Sequence, residues 1–509
     1  MEKKEKFFWA DDIAERIVKE RKGKKVYVCA SGITPSGTVH IGNFREVITT
    51  ELVVKALKDK KRKVKFIYSW DDFDRFRKIP ENIPENKKKE YEDYIGMPVS
   101  DIPSPFPSKN RKSYAEHFEG LFQEELKKVG VKPKFIRQSQ MYKKKKYAPL
   151  IKLAIEKKDV IRKILDKYRK EPLEKDWFPI TVYCEKCKRD FTKILNVKGY
   201  EIEYSCKCGF KGRFDLRKKG IVKLSWRVDW PMRWSYEKVD FEPGGIDHSV
   251  PGGSYTTAKE ISKKVFGYNP PFYTFYDWIN VKGIKLADFH SSKGNVFTLE
   301  EVGEVYEPEV LRYLFVGTRP NKGFQISFDN EVIKIYEDFD ELERKYFHKE
   351  ANPQEKRIYE LSVLKLRKTK PQRAGFRHLI TLVQAGKIGS LKKEEKERAK
   401  RVKNWLEKYA EEDFKFGVQE KINEDVSLSD GQKKSLNMLK EILKKSKGMT
   451  EEKLFNEFYG ICETTGIKNT EFFTGAYNVL INRNKGPRLA SLILAIGKDK
   501  VIKLLEQIK

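Results

Sequence analysis

The sequence has no long hydrophobic run: no apolar stretch reaches the roughly 18 residues that a membrane-spanning helix requires. Residues 1–9 are mostly charged or aromatic and lack the apolar centre of a signal peptide. We therefore expect a cytoplasmic protein with no membrane partner. Repeats and low-complexity tracts are also missing from the 509 residues. A chain of this length predicts two to four domains with buried cores.

Cysteine is scarce, and six in the whole chain are too few for a disulfide scaffold. Four of the six lie together as the pairs Cys184/Cys187 and Cys206/Cys208. Paired thiolates on two turns are what tetrahedral Zn²⁺ requires, and the gap between the pairs suits a zinc ribbon. Because four thiolates leave no open position for water, we predict one structural Zn²⁺ ion. The second pair argues against a redox Cys-x-x-Cys motif.

Acidic residues are outnumbered, since 75 Asp and Glu oppose 106 Lys and Arg and give a formal net charge of +31. Such an excess favours a large polyanionic partner, most simply a nucleic acid. A lysine-rich proteome would produce the same balance. The scatter of lysine through every segment keeps that alternative open.

The most informative stretch is residues 34–43, which read TPSGTVHIGN. An apolar strand is predicted just before it, at 25–30, and a helix just after it, at 44–57. Strand, glycine-rich turn and helix is the layout that places a nucleotide's phosphates over a helix N-terminus. Gly37 and Gly42 leave room for close backbone approach, and His40 and Asn43 bring polar side chains to the bound group.

Hydrophobic periodicity predicts a βαβ unit around this motif and a helical region at the end of the chain. A second strand at 63–69 leads into the charged run 71–77, at the edge where open α/β sheets bind ligands. Residues 80–112, rich in proline and lysine, are expected to be irregular. The other predicted elements are helices at 116–129, 147–170 and 254–266, strands at 134–139 and 272–281, and a β-rich segment at 179–215. From about residue 330 the pattern is almost wholly helical, which predicts a domain boundary near 328.

A polar loop at 290–295, HSSKGN, offers a second set of phosphate-binding groups. Ser291 and Ser292 supply hydroxyls, and Lys293 would neutralise the charge that develops as pyrophosphate leaves. Such a turn is common by itself, so its weight depends on the first motif.

The first motif resembles the HIGH signature of class I aminoacyl-tRNA synthetases, and residues 290–295 resemble the end of their KMSKS signature. Other long strings extend the likeness, so that nearly the whole chain resembles the class I lysyl-tRNA synthetases of archaea and some bacteria. They are residues 31–43, 71–80, 114–118, 226–234, 244–248, 306–315 and 486–490, with the cysteine quartet. The resemblance implies a ligase that uses ATP with Mg²⁺ to convert lysine to lysyl-adenylate and then transfers the lysyl group to tRNA(Lys).

The fold implied by the resemblance is α/β. A Rossmann-like nucleotide-binding domain carries a zinc-containing insertion and is followed by an α-helical anticodon-binding domain. We expect the first catalytic half at 1–95, the insertion with its zinc ribbon at 96–220, the second catalytic half with the KMSKS-like loop at 221–328, and the anticodon domain at 329–509.

The family motifs also imply roles for the residues at matching positions. Catalysis would use His40, Asn43, Ser292 and Lys293. ATP would contact Thr34, Pro35, Ser36, Gly37, Ile41, Gly42, Gly245, Asp247, His248 and Ser291, with Asp247 accepting from a ribose hydroxyl. Lysine would contact Gly32, Thr34, Asp72, Trp226, Trp230 and His248, with Asp229 as a further candidate. Aromatic walls and a carboxylate suit an ammonium group on a four-carbon stem.

The chain departs from the family pattern in two places. Asp288, Phe289 and His290 stand where the family has Lys-Met-Ser, so Lys285 or Lys293 would have to supply the first lysine's charge. Family members also carry a second metal site, whose Asp, Cys and His fall here on Ser104, Ser108 and Lys109. Only His117 remains of it, and we predict that this second site is empty.

Two alternatives stay open: a glutamate-type class I synthetase, and a non-catalytic, synthetase-derived zinc protein that binds RNA, which the altered residues 288–290 favour. The helical domain would read the anticodon, with the basic turn 482–488 near phosphate. Phe472, Phe473 and Tyr477 would either stack on bases or fill the core. If the charge of +31 serves RNA binding, affinity for tRNA should fall about a thousandfold between about 50 and 200 mM salt for about six neutralised phosphates.

Overall fold

The computed structural model describes residues 8–282, 297–446 and 448–508. Parallel strands in the order β1-β2-β5 carry the first motif at their carboxyl ends. The elements of this first part are α1 (Trp9–Glu20), β1 (Tyr27–Ile33), α2 (Ile41–Asp59), β2 (Val64–Trp70), α3 (Glu85–Glu92), β3 (Pro103–Ser108), β4 (Arg111–Ser113), α4 (Tyr114–Lys128) and β5 (Lys134–Arg137).

Helix α2 forms the centre of the catalytic core. It begins with a reciprocal capping box between His40 and Asn43, and most of its side chains are buried. The helix has apolar residues on nearly every face because the sheet, α1 and the following helices cover it. This full enclosure fixes the helix start, and hence the motif, relative to the strands.

The middle of the chain forms a second core beside the sheet. Its elements are α5 (Gln138–Lys143), α6 (Ala148–Glu156), α7 (Lys158–Asp166), β6 (Ile180–Val182), β7 (Thr192–Lys198), β8 (Glu201–Cys206), β9 (Lys211–Asp215) and β10 (Val222–Leu224). Antiparallel β7-β8-β9 and the pair β6-β10 make two small sheets. Strand β10 leads directly back to the catalytic domain.

The second catalytic half returns to the parallel sheet. Phe241 bridges Cys29 on one side and Phe272 on the other, both in parallel. The elements are α8 (Trp226–Glu237), β11 (Gly244–Gly245), α9 (Ile246–Ser249), α10 (Ser254–Lys264), β12 (Phe275–Tyr276), β13 (Ile279–Lys282), α11 (Leu299–Gly303), α12 (Pro308–Gly317) and β14 (Phe324–Ser327). Strand β11 pairs with β12 and β13 with β14, again in parallel.

All the helices and strands described after residue 330 are α-helices or short 3₁₀ turns. They are α13 (Glu331–His348), α14 (Pro353–Ser362), α15 (Phe376–Gln384), α16 (Lys393–Lys408), α17 (Asp430–Lys445), α18 (Glu451–Thr465), α19 (Asn469–Ile481), α20 (Leu489–Ile496) and α21 (Lys498–Leu505). The first four share the core of the catalytic sheet, whereas α17 to α21 bury their own separate core. Among the described residues, no helix is both long and apolar enough to cross a bilayer.

The structure differs from three of the expected elements. The helix expected at 147–170 is two helices, which break at Lys157 and end at Asp166. The break follows from the sequence, because Lys158 and Asp159 occupy the positions that would continue the apolar stripe beyond Ile155. A change of helix direction lets Ile161 and the residues after it reach the same core.

The strand expected at 272–281 is divided into β12 and β13 by a turn at Asp277 and Trp278. The amide of Asp277 donates to the Pro320 carbonyl, and its side chain accepts from the Trp278 amide. Residues 80–112, expected to be irregular, contain α3 and the hairpin β3-β4. In α3 only Tyr91 is buried, so the helix lacks the apolar stripe that would reveal it in the sequence.

Candidate active site

The first motif joins β1 to α2 at the carboxyl edge of the sheet. His40 is the N-cap of α2, and its Nδ1 accepts from the Gly42 amide at 3.1 Å. The Asn43 side-chain oxygen accepts from the His40 amide at 3.1 Å. Burial lowers the pKa of His40, so the ring is neutral at pH 7. Because Nδ1 is an acceptor, the proton lies on Nε2, where it is available as a donor.

The first amides of α2 have partners within the protein. The Ile41 amide donates to the Phe297 carbonyl at 2.7 Å, and the Asn43 amide donates to the His40 carbonyl at 2.9 Å. A phosphate at this helix start would therefore meet the side chains of His40 and Asn43 more readily than the amides that the motif alone suggested.

A buried carboxylate lies behind β1. Glu46, on α2, accepts from the Gly32 amide and from the Tyr276 hydroxyl, both at 2.8 Å. Burial raises the pKa of Glu46 to about 8, and the nearby carboxylates of Glu242 and Asp71 act in the same direction. Neither Glu46 nor Tyr276 was predicted from the sequence. A carboxyl group with two neutral donors, and with no cationic partner among the described residues, is suited to receive a cationic ligand.

Gly32 is required by the close approach of two strands. Its register partner in β2 is Ser69, and a Cβ at position 32 would lie 2.6 Å from the Ser69 carbonyl oxygen. Any side chain would force β1 and β2 apart and displace the amide that donates to Glu46.

A buried network of charges links the motif to the insertion. The Thr34 hydroxyl donates to Asp74 at 2.9 Å, and Asp74 lies 3.3 Å from the ammonium group of Lys223 in β10. Lys223 also donates to Asp229 at 2.8 Å, and Arg233 bridges Asp229 and Asp71. Asp229 therefore orders the network under the site, and Thr34 is held through it.

An aromatic wall lies on α8 and the segment after β11, and its Trp230 packs in one apolar cluster with Ala30 of β1. Trp226 and Trp230 stack with ring centres 5.3 Å apart, and His248 lies 6.3 and 5.9 Å from the two rings. Asp247 approaches His248 at 3.9 Å and is more than half exposed. Gly245 pairs with Tyr276 in the sheet, so the predicted ribose side and the Glu46 carboxylate lie at one edge.

The four predicted zinc ligands converge. The Sγ atoms of Cys184, Cys187, Cys206 and Cys208 all lie within 4.8 Å of one another, and two Sγ–Sγ distances are 3.7 and 3.6 Å. Sulfur atoms bound tetrahedrally to Zn²⁺ at about 2.3 Å are about 3.8 Å apart, so the thiols fit this ion. A bound Zn²⁺ ion would need all four thiolates to complete its tetrahedron.

The cysteine cluster is tied to the charged run after β2. Tyr183, beside Cys184, donates to the Phe73 carbonyl at 2.7 Å, and Arg75 pairs with Asp190 at 3.3 Å. The cysteine cluster thus supports the segment that carries Asp71 and Asp74.

Comparison with known proteins agrees with this geometry. The family described as tRNA synthetases class I (K) matches residues 7–365, and an anticodon binding domain matches residues 380–509. The lysine–tRNA ligase of Borreliella burgdorferi is 44% identical over 97% of this chain and 98% of its own length. That of Pyrococcus horikoshii is 41% identical over 98% and 99%. The chain belongs to the class I lysyl-tRNA synthetase family.

In this synthetase the structure does not bring one predicted lysine ligand to the site. Asp72 is buried, and its two carboxylate oxygens accept from the amide and the hydroxyl of Ser139. Neighbouring carboxylates thus serve different ends: Asp71 and Asp74 join the network, whereas Asp72 fixes the start of α5. Periodicity could not separate them because they follow the end of β2.

The remaining predicted residues lie in three other parts of the chain. The candidates Lys285, Ser291, Ser292 and Lys293, and the altered residues 288–290, lie outside the described residues. His117 contacts the ring of Phe106 at 4.8 Å, and the empty second metal site stays a prediction. In the anticodon domain Phe472 and Tyr477 belong to the buried core, and Phe473 is half-buried against it. Core packing therefore explains this trio better than base stacking does.

Proposed function

We propose that this chain activates lysine with ATP and transfers the lysyl group to tRNA(Lys), and that Glu46 recognises the substrate's ε-ammonium group. The observation that carries the proposal is the placement of Glu46, held by Gly32 and Tyr276 beside the first motif. Its environment is acidic, since Glu242 and Asp71 lie near enough to raise its pKa. Such a site attracts a cationic side chain and disfavours glutamate, the alternative substrate.

The rest of the amino acid is placed by neighbouring groups. Thr34 donates its hydroxyl hydrogen to Asp74, which leaves its oxygen lone pairs for the substrate's α-ammonium group. The stacked rings of Trp226 and Trp230 offer an apolar wall for the four-carbon stem, with His248 beside them. Lysine would thus lie between α8 and β1, with its carboxylate toward the motif.

Activation joins a carboxylate oxygen of lysine to the α-phosphorus of ATP and releases pyrophosphate. The Nε2–H of His40 and the side-chain amide of Asn43 are the donors that stabilise the developing charge on phosphate oxygens. Residues 34–37 and Gly42 would line the phosphates, and Gly245, Asp247 and His248 would contact the nucleoside. Mg²⁺ would arrive on the ATP phosphates and screen their charge. We retain Ser291, Ser292 and Lys293 as the proposed second phosphate-binding group.

In the second step, a hydroxyl of the tRNA's terminal ribose attacks the carbonyl carbon of lysyl-adenylate. AMP leaves, and the hydroxyl proton is lost to phosphate or solvent. The anticodon domain matched at 380–509 would hold the other end of the tRNA. Since this reaction supplies the ribosome, we infer a cytoplasmic location.

We also propose a modified domain division. Strand β5 pairs with β2, so residues 134–137 belong with the catalytic sheet although they fall in the expected insertion 96–220. Helices α13 to α16 share the catalytic core, whereas α17 to α21 have a core of their own. The expected divisions at 95, 220 and 328 therefore separate chain segments more than they separate folding units.

The decisive experiment is amino acid-dependent ATP–pyrophosphate exchange with tRNA(Lys) present. Lysine should support exchange and glutamate should not. His40→Ala should reduce the rate about a hundredfold or more, as expected for loss of a donor to transition-state charge. His348→Ala, on the exposed end of α13, is the matched control.

Failure of exchange with every amino acid would favour the non-catalytic RNA-binding alternative. Exchange with glutamate and none with lysine would reverse the substrate assignment. Unchanged activity in His40→Ala would remove the proposed role of the first motif.

A further inference from the structure

Trp278 is unusually exposed for a residue next to an active site. Its side chain is 66% exposed, more than any other large apolar side chain in the described part of the chain. It lies in the turn between β12 and β13, two residues after Tyr276, whose hydroxyl donates to Glu46. So exposed an indole contributes little to the packing of the core. A single exposed apolar residue does not by itself indicate a binding site, so a second observation is required.

The second observation is a cationic turn beside this tryptophan. Ile279 pairs with Phe324 in parallel, so Trp278 and Gly323 are adjacent across the strands. A Cβ at Gly323 would lie 3.2 Å from the Trp278 carbonyl oxygen. Arg319 and Lys322, in the same turn, are exposed and have no carboxylate within salt-bridge distance among residues 8–282, 297–446 and 448–508.

A buried arginine from the motif helix holds this turn in place. The Nη2 of Arg45 lies 3.0, 2.9 and 2.5 Å from the carbonyl oxygens of Arg319, Pro320 and Lys322. Its guanidinium also lies 4.8 Å from the centre of the Phe324 ring. Burying a cation to fix an otherwise exposed turn is costly. The turn is thus positioned from the same helix that begins at His40.

We propose that Trp278 is a stacking platform for an unpaired nucleotide at the acceptor end of the tRNA, and that Arg319 and Lys322 bind the flanking phosphates. An exposed aromatic face with unpaired cations beside it is the combination that single-stranded nucleic acid requires. The acceptor end must reach the adenylate, and the platform lies in the turn directly after β12, the strand that carries Tyr276. The proposal rests on the proposed function, because it names where one of its substrates is held.

Charge favours RNA over the other possible occupants of this surface. A protein partner that buried Trp278 would have to supply acidic groups for Arg319 and Lys322. The adenine of ATP is proposed to lie near Gly245 and His248, and it would bring no phosphates to the turn. The chain's net charge of +31 adds long-range attraction for RNA.

The test measures how tightly tRNA(Lys) binds to the full-length protein and to three full-length variants. The variants are Trp278→Ala, Trp278→Phe and the double variant Arg319→Ala/Lys322→Ala. Trp278→Ala should weaken binding about tenfold, since an aromatic–base stack is lost, and Trp278→Phe should recover most of the affinity. The cation pair should reduce the salt dependence of binding. Lysine-dependent exchange at saturating tRNA should be unchanged in all three. Leu195→Ala, another exposed apolar residue, at 53%, is the control.

A tRNA that lacks its unpaired 3′ nucleotides distinguishes the source of the contact. Trp278→Ala should bind this shortened tRNA as well as the unaltered protein does. Equal losses for intact and shortened tRNA would overturn the assignment to the acceptor end, and unchanged affinity for both would overturn the platform. Absence of lysine-dependent exchange in the unaltered protein would count against the proposed function, whereas the binding results stand apart from it.

Discussion

At the carboxyl edge of the catalytic sheet the chain buries aspartates, a lysine and an arginine, whereas helices α17 to α21 bury mainly leucine, isoleucine and phenylalanine. In the described part of that bundle the only buried polar side chains are Ser435 and Ser491. The bundle is thus held by hydrophobic burial, which tolerates exchange of one apolar residue for another. The catalytic edge depends on defined pairs, and each member leaves an uncompensated charge when it is removed.

This difference explains how each region serves the synthetase. Buried ion pairs add little net stability compared with apolar packing, but they fix side chains in one arrangement. At the catalytic edge that arrangement holds Thr34 through Asp74 and Lys223. The core of the bundle contains apolar side chains with no such network of charges among its described residues, so its interior needs only to be filled. The predictions below test this contrast.

The largest expected effect is that of Lys223→Met. The variant keeps the length of the side chain but leaves the buried Asp229 and the partly buried Asp74 without their shared cation. We expect a loss of about 3–5 kcal/mol in the free energy of unfolding, together with a raised KM for lysine because Thr34 loses its support. Denaturant unfolding and exchange kinetics measure the two effects.

The matched control is Lys334→Met in the exposed pair with Asp338, which should change stability by less than about 1 kcal/mol. Equal effects of the two lysine substitutions would mean that the network at the catalytic edge has no special importance.

Leu439→Ala tests the bundle. Leu439 is 1% exposed in the core of α17 to α21, and its truncation should cost about 3 kcal/mol through lost burial and a cavity. Because this core is separate from that of the sheet, the change should weaken tRNA binding while exchange at saturating tRNA persists. Leu494→Ala, 41% exposed on α20, should have little effect. Loss of exchange in parallel with tRNA binding would show that the two cores unfold together.

The sequence predicted those parts of the site that depend on local spacing. Strand, turn and helix around His40 are neighbours in the chain, and the four clustered cysteines form two close pairs, so both groupings could be recognised without the fold. Glu46 and Tyr276 could not, since one is inside a buried helix and the other lies on a distant two-residue strand. The sequence could not show that Asp72 accepts from Ser139, because three aspartates follow one strand. Only the fold determines which of them turns toward Ser139.

Glu46→Gln tests recognition without altering shape. The amide keeps an oxygen for the Gly32 amide or the Tyr276 hydroxyl but removes the charge. We expect KM for lysine to rise about a hundredfold, as for a buried charge pair that loses one member, while KM for ATP changes little. Stability near pH 7 should change little, because the raised pKa of Glu46 already keeps this group mainly neutral in the free protein. An unchanged KM for lysine would mean that Glu242 or Asp71, and not Glu46, recognises the ε-ammonium group.

The smallest effect is a dependence on pH that arises from the carboxyl group of Glu46. As pH rises, lysine binding should strengthen while the stability of the fold decreases. Burial raises the pKa of Glu46 to about 8, so the free folded protein holds a proton there that the unfolded chain releases above its ordinary carboxyl range. The stability that this proton contributes is present at low pH and is lost as pH rises toward 8. Lysine binding needs the ionised form, and the substrate's ammonium group stays charged over this range. KM for lysine should therefore fall as pH rises from 6 to 8, while the free energy of unfolding falls too.

Burial also raises the pKa of Glu242, and Glu46→Gln separates the two groups, since it should flatten the part of each trend that belongs to Glu46. A KM that stays constant across this range in the unaltered enzyme would mean that Glu46 is already ionised when lysine arrives. The catalytic edge would then differ from the bundle of α17 to α21 in how its interior is packed, but not in the protonation of a buried group.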